Sequence, residues 1–140
     1  MFLISSACVA ILIASKPVTI AETTSHVIGD HQPTPVEIWR GGDDGLTVKL
    51  LDAIKKKIVA SRDFVLSTDS KPGTITIIIP SNVRWTETGA RGEVSYTVEL
   101  KQRLDRSRTE KNTGSCWEEE ISVCADQIFN YIQVFAGRTR

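Results

Sequence analysis

The chain has 140 residues, 41% of them hydrophobic, and carries 17 basic against 17 acidic side chains, so its formal charge is zero. That length holds one domain core and leaves no room for a second. Electroneutrality argues against a general polyanion binder, nucleic acid above all, and leaves recognition to local patches.

Phe2 to Ala14 form an apolar run of 13 residues, followed by Lys16, Pro17 and the triplet Thr19-Ile20-Ala21. A membrane-crossing helix needs roughly 20 apolar residues, so the run reads as the centre of a cleaved export signal over residues 1–21. Thr19 and Ala21 put small side chains at the third and first positions before the cut, which places the mature terminus at Glu22. Residues 1–15 hold no Lys or Arg, and the stretch from Leu3 to Cys8 is loosely similar to a lipoprotein cleavage box with too little apolar sequence ahead of it. Losing Lys16 with the signal leaves 16 basic against 17 acidic residues. No later stretch is long and apolar enough to span a membrane. The expected product is therefore periplasmic or secreted, in an oxidising compartment where Cys116 and Cys124 can join.

Residues 22–35 are polar, without helical or strand periodicity, and read as a flexible leader. Val36 to Arg40 alternates in the manner of a short strand. The Gly41-Gly42-Asp43-Asp44-Gly45 run breaks it and offers Asp43 or Asp44 as an N-cap for a helix reaching about Ala60. Leu46, Leu50, Ile54 and Ile58 recur every four residues, with Leu51 and Val59 beside them, and call for a sheet to cover them. The Lys55-Lys56-Lys57 triplet suits the negative end of the helix dipole.

Thr74 to Ile79 holds four isoleucines and predicts a central strand, ended by Pro80. Glu93 to Leu104 alternates cleanly, with Val94, Tyr96, Val98, Leu100 and Leu104 on one face, and predicts a half-solvated antiparallel strand. A charged turn then folds it onto a polar return strand, Arg108 to Trp117, expected at the sheet edge. The last helix, about Glu118 to Ala136, repeats apolar residues at Ile121, Ala125, Ile128, Ile132 and Phe135, with Gly137 available as its cap and residues 138–140 as a tail. A Cys116–Cys124 disulfide would tie that strand to this helix and stabilise the domain by roughly 2 to 3 kcal/mol in the chain-entropy model.

These elements predict a single α+β domain over residues 36–137, with a three- to four-stranded, mainly antiparallel sheet on two helices in the order (β)-α-β-β-β-α. That order, read across residues 36–136, is similar to the N-terminal domain of the Tol-system translocation protein and to the lipoprotein activators of cell-wall synthases. The similarity is one of element order, without a shared motif.

Catalytic signatures are missing from the body of the chain. His26 and His31 both fall in the leader, and no nucleophile elbow, zinc-protease helix, phosphate loop or dinucleotide fingerprint is present. His26, Asp30 and His31 have generic spacing for a metal site, and Asp43 and Asp44 lack the calcium-loop pattern, so neither a metal nor a cofactor is expected. Cys116 and Cys124 are too far apart for a Cys-x-x-Cys redox pair. Arg84, Trp85 and Arg91, with Arg103, Arg106 and Arg108 about the hairpin tip, form a basic and aromatic set that would grip a protein or an anionic envelope component by ion pairing and cation-π contact. The sequence thus predicts an exported, non-enzymatic binding or accessory protein of the cell envelope. The alternative is an inhibitor or immunity-type protein acting against an exported enzyme.

Mass spectrometry of the unreduced protein recovered from its host checks the processing. The expected mass starts at Glu22 and is short of two hydrogens; a chain starting at Met1 with both late thiols open to alkylation would contradict it.

Overall fold

The computed structural model describes residues 32–69, 71–102 and 108–137. The signal, the leader as far as His31, Ser70, residues 103–107 and the tail at 138–140 lie outside them. The observed order is β1 (Thr34–Arg40), α1 (Gly45–Ala60), β2 (Phe64–Leu66), β3 (Ile75–Ile79), β4 (Arg84–Thr88), β5 (Arg91–Gln102), β6 (Arg108–Trp117), a single 3-10 turn (Glu118–Glu120) and α2 (Ile121–Gly137). β1 takes in Thr34 and Pro35, two residues earlier than the sequence pattern indicates.

The domain is α+β, and its sheet differs from the predicted one in size and sense. Six strands take part among the described residues, and β1 runs parallel to both β2 and β3, giving a mixed sheet instead of three or four antiparallel strands. The reason is connectivity. β1, α1 and β2 form a strand-helix-strand unit, whose crossover returns the chain parallel to where it began. β2 is three residues long, too short to show a period. β4 is exposed at every position, so it carries no apolar alternation, and it is held by β5 across a tight turn in which Gly89 has φ +65°.

β3 and β4 lie one after the other along the same edge of β5, while β6 pairs along the other edge from Gln102 opposite Arg108 to Glu93 opposite Trp117. Ile78 faces Glu99 and Arg84 faces Ser95, so five residues, Ile79 to Val83, span what β5 covers with three. This is a bulge with two surplus residues. Pro80 stands in it without an amide to offer the ladder.

The β1–α1 loop seats in that bulge. A Cβ on Gly41 would lie 2.1 Å from the Pro80 carbonyl oxygen and one on Gly42 would lie 2.4 Å from Asn82 Oδ1, so only glycine lets the two backbones approach. The Gly41 amide donates to the Ile79 carbonyl at 2.7 Å, and the Asp43 amide donates to Asn82 Oδ1 at 2.9 Å. Asp44 caps α1, its Oδ1 accepting from the amides of Leu46 (2.9 Å) and Thr47 (3.0 Å). The Thr47 hydroxyl donates to Asp44 Oδ2 and accepts from the Val83 amide at 2.9 Å. Burial pushes the Asp44 carboxyl up, but the Thr47 hydroxyl and the Thr47 and Leu46 amides outweigh it and hold the pKa below its ordinary 3.8.

Both helices cover one face of the sheet. Leu50, Leu51, Ile54 and Ile58 of α1, with Cys124, Ala125, Ile128, Ile132 and Phe135 of α2, meet Val36, Ile75, Ile77, Ile79, Val94, Val98 and Leu100 from the strands. Each such aliphatic side chain contributes about 1.5 to 3 kcal/mol relative to exposure, which is why this single layer holds the domain. Val59 stays in solvent, beyond the stripe. The helices run in the same direction: Lys57 of α1 pairs with Asp126 of α2, and Phe64, just past α1, meets Phe129 edge-on at 5.8 Å. Gly137 remains within α2 and does not adopt the left-handed conformation expected of a cap.

Replacing Thr47 by Val keeps its shape but strands the buried Val83 amide and removes the donor to Asp44, at an expected cost of about 2 to 3 kcal/mol in chemical denaturation. Thr47→Ser keeps the hydroxyl and is expected to lose about 1 kcal/mol, for the missing methyl. Equal losses in the two variants would show that the hydroxyl bridge does not hold the bulge.

Candidate interaction surface

The basic and aromatic residues singled out in the sequence divide into three groups. Trp85 is opposite Val94 and therefore on the helix side of the sheet, where its indole lies across Gly92 and its Nε1 donates to Glu118 at 2.7 Å. A Cβ on Gly92 would approach Trp85 Nε1 to 2.2 Å, so the glycine is what lets the ring lie down. Arg91 stacks over the Trp117 ring at 4.4 Å, donates to Glu119 at 2.5 Å and reaches Glu120 at 3.8 Å. The Glu118-Glu119-Glu120 turn thus clasps the tip of the β4–β5 hairpin by two separate side chains.

Cys116 and Cys124 hold that turn in place. They are joined by a disulfide with Cα atoms 5.5 Å apart, so the 3-10 turn is bounded by a strand end and a covalent bond to the first turn of α2. Arg108 is turned inward as well: it pairs with Glu110, donating through Nε at 3.0 Å, and its guanidinium lies 4.6 Å over the Phe135 ring. Glu110 in turn accepts from the Tyr131 hydroxyl at 3.3 Å. Arg103 and Arg106 fall outside the described residues, as do His26, Asp30 and His31. Arg84 alone of the described set is exposed with no ion pair to another described residue.

Arg84 belongs to a surface that sequence reading passed over. It is opposite Ser95, which faces away from both helices, and the same face carries Thr97 from β5 and Thr113 and Ser115 from β6. The bulge places Ser81 and Asn82 at its border, and together with Tyr96 and Gly114 these residues line a shallow furrow of about 450 Å³. No carboxylate and no aliphatic side chain lines it. The alternation of Ser95-x-Thr97 and Thr113-x-Ser115 was present in the sequence as the polar half of two strands. Only the pairing of β5 with β6, and the surplus residues between β3 and β4, turn it into a site.

Under the furrow the strands are fixed by one packing relation. Tyr96 lies beneath Gly114 on the helix side, where a Cβ on Gly114 would come within 2.4 Å of its hydroxyl, and it donates to Gln127 Oε1 of α2 at 3.0 Å. Burial pushes this phenol above its usual value of 10.0. Farther along the open face, Trp39 of β1 is opposite Ile78 and 59% exposed. Among the described residues, no three His, Cys, Asp or Glu side chains gather to hold a metal ion, and no helix is long and apolar enough to cross a membrane.

The Glu119 carboxyl is held below its ordinary 4.5 by its own backbone amide and by the Arg91 hydrogen bond. A depressed folded pKa means that its contribution is present above 4.5 and is lost as the pH falls through the folded value. The protection factors of the β4–β5 hairpin amides, taken relative to intrinsic exchange at each pH, are therefore expected to fall on acidification below 4.5. Glu118→Gln combined with Glu119→Gln should produce a similar fall in protection at neutral pH, on the order of a few-fold, as for other exposed pairs. Unchanged exchange in the double variant would contradict the clasp.

No protein-family model and no curated protein matches the chain. Among solved structures it is similar to a minor lipoprotein from Acinetobacter baumannii, at 14% identity over 72% of this chain and 93% of that one, with a TM-score of 0.41. It is also similar to a hypothetical protein from Chlamydia trachomatis, at 10% identity over 61% and 73% of the two chains, with a TM-score of 0.38.

Proposed function

We propose that the protein is an exported, non-enzymatic domain of the cell envelope, a binding or accessory component whose partner is a protein or an anionic envelope component. One observation carries this reading. The helices bury one side of the sheet, while the other side presents hydroxyls, an unpaired Arg84 and an exposed Trp39 to solvent among the described residues. A binding module needs such a surface, and a core built on one side leaves it available.

The Cys116–Cys124 disulfide supports export, since such bonds persist in oxidising compartments. The clasped Arg91 and Trp85 serve the hairpin's shape and Arg108 is held by Glu110, so among the described residues of that set Arg84 is the basic side chain offered to a partner.

Fractionation and thiol alkylation, followed by photo-crosslinking, test this reading. The protein is expected outside the cytosol with Cys116 and Cys124 protected until reduction. A crosslinker at Thr113 should give an adduct with an envelope component, and one at Val59 on α1 should give none. Alkylatable thiols in a cytosolic product, or adducts from Val59 alone, would refute it.

A further inference from the structure

We infer that the furrow between β4, β5 and β6 is a binding site for a carboxylated polysaccharide. The inference rests on the reading of the protein as an envelope binding domain and names the ligand class of its open face. The furrow's lining decides the chemistry. Ser95, Thr97, Thr113 and Ser115 each present a hydroxyl that both donates and accepts, the same dual capacity that sugar hydroxyls have. Arg84 adds a planar fork of donors that matches a carboxylate in two parallel bonds.

A protein partner fits the furrow less well. Stable protein interfaces centre on apolar anchors set in desolvated pockets, and this depression has no aliphatic side chain in its lining to receive one, its single aromatic residue, Tyr96, being buried. Its floor is also rigid in a way that suits a polar ligand: β5 and β6 are paired over ten residues each, and Gly114 over Tyr96 fixes their spacing. The ring of Trp39, on the same face, offers the flat apolar surface that the C–H side of a sugar ring covers. The chain's zero formal charge means that a polyanion is not attracted by the molecule as a whole, so affinity must come from this local set.

The test is a titration of the purified chain followed by amide NMR shifts, with three probes of matched length: oligogalacturonate, its methyl ester and poly-glutamate. Oligogalacturonate is expected to move the amides of Arg84, Ser95, Thr97, Thr113 and Ser115, and to bind at least about tenfold more tightly than either other probe, a difference of about 1.4 kcal/mol. Arg84→Gln should weaken it by about tenfold, and Thr97→Val with Thr113→Val, which leaves the charge in place, by several-fold. Equal binding of poly-glutamate would overturn the inference in favour of an acidic peptide ligand. Binding that ignores the threonine changes, or shifts located elsewhere, would also overturn it. These failures leave the wider reading standing, since that reading falls only with the location, the thiol state or the crosslinking pattern.

Discussion

The Thr47 hydroxyl accepts the Val83 amide and donates to the Asp44 carboxylate, and the rest of the architecture is arranged about these two bonds. Asp44 ends the coil and starts α1, so the helix that brings Leu50, Leu51, Ile54 and Ile58 to the core is positioned by the same group that anchors the bulge. Without an acceptor, a buried amide in an interrupted strand would carry its full desolvation cost. Gly41 and Gly42 make the arrangement sterically possible, and Asn82 secures it from the bulge side.

From this constraint the two faces of the sheet acquire different roles. On the helix side, the bulge lets β3 deliver Ile75, Ile77 and Ile79 to the core and then lets β4 continue along β5 as a wholly exposed strand. On the open side, the surplus residues bring Ser81 and Asn82 to the border of the hydroxyl-lined furrow. At the far end the acidic turn, tethered by the disulfide, clasps the hairpin through Trp85 and Arg91. Fold stability and surface chemistry are thus assigned to opposite faces of one sheet.

How much of this was legible in the sequence follows from how local each cause is. The α1 stripe, the alternation of β5 and the apolar spacing of α2 depend on residues three, two or four apart, and all three emerge from pattern alone. The parallel placement of β1 between β2 and β3 depends on a crossover, and β4 depends on its partner strand, so neither leaves a mark within its own residues. The basic set illustrates the same limit. Composition brings Arg84, Trp85, Arg91 and Arg108 together as candidates, while pairing with Glu118, Glu119 and Glu110 occupies all but Arg84. Glu118 and Glu119 stand at the start of the expected last helix, and their distance along the chain from the hairpin hid the clasp.

Native-state amide exchange at Val83 tests the central constraint most directly. If the Thr47 hydroxyl secures the bulge, the Val83 amide exchanges on the timescale of the interior β3 amides and only through opening of the whole domain. Exchange at Val83 as fast as in the exposed strand β4, while β3 stays protected, would contradict the account.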